Sequence, residues 1–234
     1  RKHTQIVGRY YEEAGIGVVV PHNKRITQEI LIPAKKHKKA NDGDYVVVEL
    51  TQFPHEHRKA MGEVVEVLGD ISKPGMEIEV ALRVHDIRHE WPPAVTAEMQ
   101  GFPAAVQPQD LTNRIDLRAL PFVTIDGEDA KDFDDAVWCE RKGKNFRLIV
   151  AIADVSHYVM PGNALDQEAS VRGNSTYLVG VVIPMLPEKL SNGLCSLVEA
   201  QDRLCKAVFL TFAKNGRLRD TTYANTVIRS RKRL

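Results

Sequence analysis

Ten residues, 126 to 135, carry six carboxylates (Asp126, Glu128, Asp129, Asp132, Asp134 and Asp135) and a single base, Lys131. Apolar residues close in on both sides: Pro121-Phe-Val-Thr-Ile125 before, Ala136-Val137 after, with Phe133 inside the run. A solvated acidic tail has no such neighbours. The chain must hold these charges at a junction of strand and loop, against their own repulsion. Carboxylates confined in this way are diluted into water, partly protonated, or neutralised by a cation. Their hard oxygens suit Mg²⁺ or Mn²⁺ rather than Zn²⁺ or copper, and such ions can clamp the oxygens of an in-line phosphoryl displacement. An EF-hand fails the count: from Asp126, Lys131 falls where Gly is needed and Val137 where Glu is needed. The bland reading is an acidic turn in water; the two flanking strands and Phe133 favour the cation.

The rest of the chain frames this run. Ile6–Tyr11, Gly15–Val20, Glu29–Pro33, Tyr45–Phe53 and Gly62–Leu68 are short Val-, Ile- and Tyr-rich segments, several of them separated by turn-forming clusters such as Asn41-Asp42-Gly43-Asp44. Five such strands in this length suit a small closed barrel of the OB type, with a five-stranded sheet of another kind as the rival. Met76 to Glu90 then spaces its apolar residues as a helix ended by Pro92-Pro93, and Ala94 to Met99 starts another. From Arg114 the texture becomes mixed. A hairpin is expected from Asp135–Glu140 and Phe146–Val155, a helix at Leu165–Arg172, and a strand pair from Leu204–Ala213 and Arg217–Ile228, turned at Lys214-Asn215-Gly216. Three regions follow: 1–70 a barrel, 71–113 a helical connector, 114–234 a mixed unit.

Composition excludes little. A 43% hydrophobic and 27% charged chain has enough apolar surface for a core. A net charge of +1 is no argument for nucleic acid, so any such argument rests on local patches. Cys139, Cys195 and Cys205 form no CxxC pair, which removes a zinc knuckle or redox dithiol and fits a reducing cytoplasm. No apolar run approaches the ~20 residues of a membrane helix. The first residue is Arg1 rather than Met, which reads as a processed or excised piece of something longer.

Several blocks in fixed order resemble the ribonuclease II/R family of processive 3′-to-5′ exoribonucleases. They are Arg114-Ile-Asp116-Leu-Arg118 with Pro121 through Ala136, then Ala151-Ile-Ala-Asp154-Val-Ser-His-Tyr-Val159, Arg172-Gly-Asn-Ser175-Thr-Tyr177, and Ile183 through Leu197. The resemblance implies an α+β chain: a small OB-type β-barrel (a cold-shock domain) followed by the N-terminal part of a mixed α/β catalytic (RNB) domain. It implies a monomer that hydrolyses single-stranded RNA to nucleoside 5′-monophosphates with Mg²⁺, or Mn²⁺ in its place. The family's catalytic aspartates fall on Asp126, Asp132, Asp134 and Asp135. Asp126 and Asp135 would bind metal directly, Asp132 through its water shell, and Asp134 would be most critical for the chemical step. Tyr177 matches the tyrosine that stacks near the 3′-terminal nucleotide; alone, it would read as an ordinary strand tyrosine. Val179 replaces a frequent Pro, and Val198-Glu199 a usual Asn-Pro. The family's later arginine, glutamate, second aromatic clamp and S1 domain have no counterpart in these residues. An RNA-binding module without turnover is therefore the alternative for this polypeptide.

Other residues carry two readings each. Lys35, Lys36, Lys38 and Lys39 suit RNA phosphates and a solvated loop about equally. Arg229, Arg231, Lys232 and Arg233 form a second basic run, or a strand in need of neighbours. Tyr10, Tyr11 and Phe53 could stack on bases, with core packing expected of at least one tyrosine. His157 reads as packed or hydrogen-bonded, Asp154 as an ion-pair partner or a support of the site, and Trp91 and Trp138 as packing residues.

Overall fold

The computed structural model describes residues 5–55, 58–128 and 130–234, so Asp129 of the acidic run lies outside the described residues. The chain divides into two compact units, Arg1–His89 and Glu90–Leu234.

The first unit is a closed barrel of β1 (Gln5–Glu13), β2 (Ile16–Pro21), β3 (Ile30–Ile32), β4 (Tyr45–Gln52) and β5 (Ala60–Gly69), in the order β1-β2-β3-β5-β4. All five expected strands form, and the OB-type barrel is the arrangement found. Tyr10, Val19, Ile30, Ile32, Val46 and Val48 fill its interior. Closure depends on close backbone approach at two glycines. A Cβ at Gly8 would lie 2.5 Å from the Val20 carbonyl oxygen, and one at Gly62 would lie 2.8 Å from that of Glu49. Of the two adjacent tyrosines, Tyr10 is buried and Tyr11 half-buried, carrying Arg9 over its ring.

Helix α1 (Met76–Val84) packs Met76 and Val80 against Val7 and Val47 on the outside of the barrel. It stops six residues short of the expected Glu90. Asp86 takes the left-handed conformation (φ 52°). That lets Ile87 N–H reach the Leu82 carbonyl at 2.8 Å and Asp86 N–H reach Arg83 at 3.3 Å, a Schellman ending that satisfies the orphan carbonyls. Pro93 opens the next helix rather than closing this one: α2 (Pro93–Gln100) starts on it, where a missing N–H costs nothing. The stretch 71–113 is thus shared, α1 in the first unit and α2 in the second.

The second unit is built on a seven-stranded sheet. Its strands are β6 (Ile115–Asp116), β7 (Val123–Thr124), β8 (Asp135–Lys142), β9 (Asn145–Ala153), β12 (Asp202–Phe212), β13 (Leu218–Arg229) and β14 (Lys232–Arg233), in the order β14-β7-β8-β9-β12-β13-β6. The two long hairpins stand where the alternation of the sequence puts them. One face buries Ala136, Ile149, Ala151 and Ala207 against Leu165 of α3 (Ala164–Arg172), Val95 and Met99 of α2, and Leu190 of a wide, π-type turn at Lys189–Leu194. α3 is capped by Asn163, whose Oδ1 accepts from Asp166 N–H at 2.8 Å. Arg172, at its other end, lies 3.5 Å from the centre of the Trp91 ring and bonds Glu168 at 3.0 Å. A separate hairpin, β10 (Thr176–Leu178) with β11 (Val181–Ile183), was not expected from the sequence. No described helix is long and apolar enough to cross a membrane.

Candidate active site

The acidic run is the loop from β7 to β8. Pro121–Ile125 was expected as a strand; only Val123 and Thr124 pair, Val123 against Val137 on one side and against Lys232 of β14 on the other. Asp126 leaves this short strand two residues on, and Asp135 is the first residue of β8, opposite Ile152. The loop is fastened along its length. Ala130 N–H bonds the Gly127 carbonyl at 3.1 Å, and Arg233 Nη1 donates to the Glu128 carbonyl at 3.0 Å. The Ser196 hydroxyl donates to the Lys131 carbonyl at 2.7 Å and accepts from Phe133 N–H at 3.1 Å. Leu197 N–H bonds the Phe133 carbonyl and Ala153 N–H the Asp134 carbonyl, each at 2.9 Å. The Phe133 ring is buried in the core, so the loop is pinned by one apolar anchor amid its charges.

The four aspartates are close enough to feel one another. Burial, then Asp135 and Asp132, push the Asp126 carboxyl above its ordinary value, with Arg233 opposing. Burial, then Asp132, Asp135 and Asp126, push Asp134 up. Oδ2 of Asp126 is enclosed and has no hydrogen-bond partner. A buried acceptor left unpaired beside three like charges is a poor resting state for a protein and a good one for a cation. The donor set is all carboxylate, hence hard. Among the described residues, however, no three His, Cys, Asp or Glu side chains stand together as a ready-made cage. The fit to Mg²⁺ or Mn²⁺ therefore rests on the orphaned Asp126 oxygen and the mutual repulsion.

Tyr177, on β10, donates its hydroxyl to Asp132 Oδ2 at 3.1 Å while its ring stays exposed. It is thus joined to the aspartates, from a segment 42 positions later than β8 begins. The basic run at the end of the chain also joins them: Lys232 and Arg233 are the strand beside β7, and Arg233 holds the loop. That role was not visible in the sequence, where only the charge run signalled it. Ser196 gave no signal beyond membership of the block Ile183 through Leu197.

The lysines of residues 35–39 lie in the barrel unit. Lys36 is ion-paired with Glu63, and Lys38 donates to the Val65 carbonyl at 2.6 Å, while Lys35 and Lys39 are exposed. Asp154 is buried and bonds Arg114 at 2.6 Å and the Ser156 hydroxyl at 2.7 Å, with Lys206 at 3.5 Å. Its N–H bonds the Leu204 carbonyl at 2.9 Å, which fastens the end of β9 to β12. His157 meets Asp110 at 3.3 Å and the edge of Tyr158.

Comparison with known proteins gives a consistent picture. Residues 114–234 match the family model described as the RNB domain, and residues 19–92 that of a cold shock domain. The chain is 52% identical, over all its 234 residues, to ribonuclease R of Escherichia coli (strain K12), and covers 29% of that protein. It is 50% identical to ribonuclease R of Vibrio cholerae, covering 28%. Among solved structures it resembles Mycoplasma genitalium RNase R in complex with double-stranded RNA (TM-score 0.92, 28% identity, all of this chain and 41% of that one). It also resembles the same protein with ribose methylated single-stranded RNA (TM-score 0.91, 28% identity, 37% of that chain). The chain thus spans under a third of the length of the E. coli and Vibrio relatives.

Proposed function

This chain belongs to the RNB-domain family, and from that premise we propose that it supplies the metal-binding carboxylates of a 3′-to-5′ exoribonuclease acting processively on single-stranded RNA. The observation that carries the reading is the placement of Asp126, Asp132, Asp134 and Asp135 on one fastened loop, where burial and one another's charge push the carboxyls of Asp126 and Asp134 up, with an enclosed Asp126 oxygen lacking a partner. Asp126 and Asp135 would hold Mg²⁺, or Mn²⁺, with Asp132 acting through a coordinated water. The ion supplies charge stabilisation to the phosphoryl oxygens when bound. Asp134, held through its carbonyl by Ala153, is the carboxylate on which the chemical step depends most. Tyr177 presents an exposed ring for the last base, a contact indifferent to sequence. Hydrolysis, with water as nucleophile, releases nucleoside 5′-monophosphates. The barrel, through Lys35 and its neighbours, would track the phosphate backbone.

We place the enzyme in the cytoplasm as a monomer. The support is that Cys139, Cys195 and Cys205 are all free thiols, Cys139 exposed, as suits a reducing compartment.

A second reading is an RNA-binding module without turnover, for which the exposed Lys35 and Lys39 of the barrel and the exposed Tyr177 ring supply contacts to phosphate and base. One experiment separates them. The chain is incubated with 3′-labelled single-stranded RNA and Mg²⁺ beside an Asp134→Asn variant. Release of labelled mononucleotide by the parent and not the variant supports the enzyme. Retention of RNA with no Mg²⁺-dependent release supports the module.

A further inference from the structure

Ser196 has no charge and lies far along the chain from the aspartates, yet all of its polar groups are committed to them or to their support. Its side chain is fully enclosed. Its hydroxyl donates to the Lys131 carbonyl (2.7 Å) and accepts from Phe133 N–H (3.1 Å), so it grips the backbone immediately before and after Asp132. Its own N–H bonds Gly193, in the wide turn at Lys189–Leu194, at 3.1 Å. Its carbonyl accepts from Arg203 Nε at 2.7 Å. Arg203 is itself buried and makes no ion pair among the described residues; its Nη1 donates to the Asp202 carbonyl at 2.8 Å. A buried guanidinium spent on two backbone carbonyls is costly to desolvate, and what it secures is the segment that carries Ser196.

We infer that Ser196, locked by Arg203, is a positioning residue that fixes the backbone on either side of Asp132, and so the approach of the loop's carboxylates to a divalent cation. The inference rests on the metal-binding reading of the loop. Its physical basis is the repulsion among the four aspartates. Left to itself, the loop relaxes by moving its charges apart, and a cation must then gather them at the moment of binding. A clip that grips the peptide on both sides of Asp132 removes that reorganisation beforehand. The clip has to be a small group that donates and accepts at once in an enclosed space, which a hydroxyl does and a methyl does not. Next-to-ligand hydrogen bonds of this kind typically set metal affinity by ~10–100-fold.

The test uses this chain with Mn²⁺ as the probe. Free Mn²⁺ is counted by electron paramagnetic resonance during titration, and the metal-free melting temperature is measured alongside, for the parent, Ser196→Ala, Ser196→Thr and Asp126→Asn. The expected result is Mn²⁺ binding by the parent, its loss in Asp126→Asn, roughly tenfold weaker binding in Ser196→Ala, and recovery of most of that affinity in Ser196→Thr, which keeps the hydroxyl. A merely structural serine would lower the melting temperature without altering Mn²⁺ affinity. Parent-like binding in Ser196→Ala, with Asp126→Asn still inactive toward Mn²⁺, overturns the positioning role and leaves the metal reading standing. Absence of Mn²⁺ binding by the parent overturns both. If Ser196→Ala does not fold, the comparison passes to Ser196→Cys, whose slightly larger thiol still fills the site but makes much weaker hydrogen bonds, with the same outcomes.

Discussion

Tyr177 donates its hydroxyl to Oδ2 of Asp132 across 3.1 Å, although 67% of the residue remains exposed. One side chain thus offers a ring to solvent and a proton to the acidic loop. The charge of Asp132, and the bond to it, raise the tyrosine's own pKa, so it stays protonated and able to donate throughout the neutral range. The two functions separate by mutation. Tyr177→Phe keeps the ring, and single-stranded RNA should bind with little change. Tyr177→Ala removes the stacking surface and should weaken binding by about 1–3 kcal/mol. Fluorescence anisotropy with a 3′-labelled oligonucleotide measures both; equal losses in the two variants would mean that the hydroxyl, not the ring, meets RNA.

Asp126 carries its charge at a cost. Its folded pKa is raised by burial and by Asp135 and Asp132. A group raised on folding stabilises the fold while protonated and loses that contribution as pH rises through the folded value. At neutral pH and without metal, Asp126→Asn should therefore raise the melting temperature. Added Mg²⁺ should reverse the order, because only the parent gains from the ion. Melting curves with EDTA and with Mg²⁺ give the comparison, and a variant less stable than the parent in EDTA would contradict it.

Much of this was legible in local sequence. The Val- and Ile-rich runs between turn clusters marked the barrel strands, and the alternation around Lys214-Asn215-Gly216 marked the β12–β13 hairpin. Six carboxylates bounded by apolar residues marked the loop. What remained hidden depends on partners remote in the chain. β6 and β14 are two residues each and exist only because β13 and β7 stand beside them. Ser196 reaches Phe133 across 63 positions and Arg233 reaches Glu128 across 105; no periodicity records such contacts. The end of α1 was misplaced because Asp86 does the work that glycine usually signals.

Asp154 should make the second unit acid-sensitive. Burial alone would raise its pKa, but hydrogen bonds from Arg114 and Ser156, with the charges of Arg114 and Lys206, outweigh it and hold the carboxyl low. A depressed carboxylate contributes stability above its unfolded value, near 3.9, and loses it as pH falls through the folded value. Asp154→Asn should flatten the fall in melting temperature below about pH 4. At neutral pH it should cost about 3–5 kcal/mol, because Arg114, with a side chain only 7% exposed, is left as an uncompensated buried charge. Thermal melts across pH check both statements.

The barrel's basic loop divides into engaged and free lysines, and salt dependence can tell them apart. Lys36 is tied to Glu63 and Lys38 to the Val65 carbonyl, whereas Lys35 and Lys39 have exposed side chains and no partner among the described residues. A lysine that neutralises a phosphate releases a counterion, and each such contact on a single strand steepens the fall of log K with log salt by roughly 0.7. A lysine already paired with Glu63 must first give up that partner, so it adds less. Replacing Lys35 and Lys39 by Ala together should reduce the slope by up to about 1.4 if both meet phosphate. Replacing Lys36 should change it little and instead unbalance Glu63, whose freed charge repels the strand. Affinities measured from low to moderate salt decide between them. An unchanged slope in the Lys35, Lys39 double variant would assign this loop to solvent and move phosphate tracking to another face of the barrel.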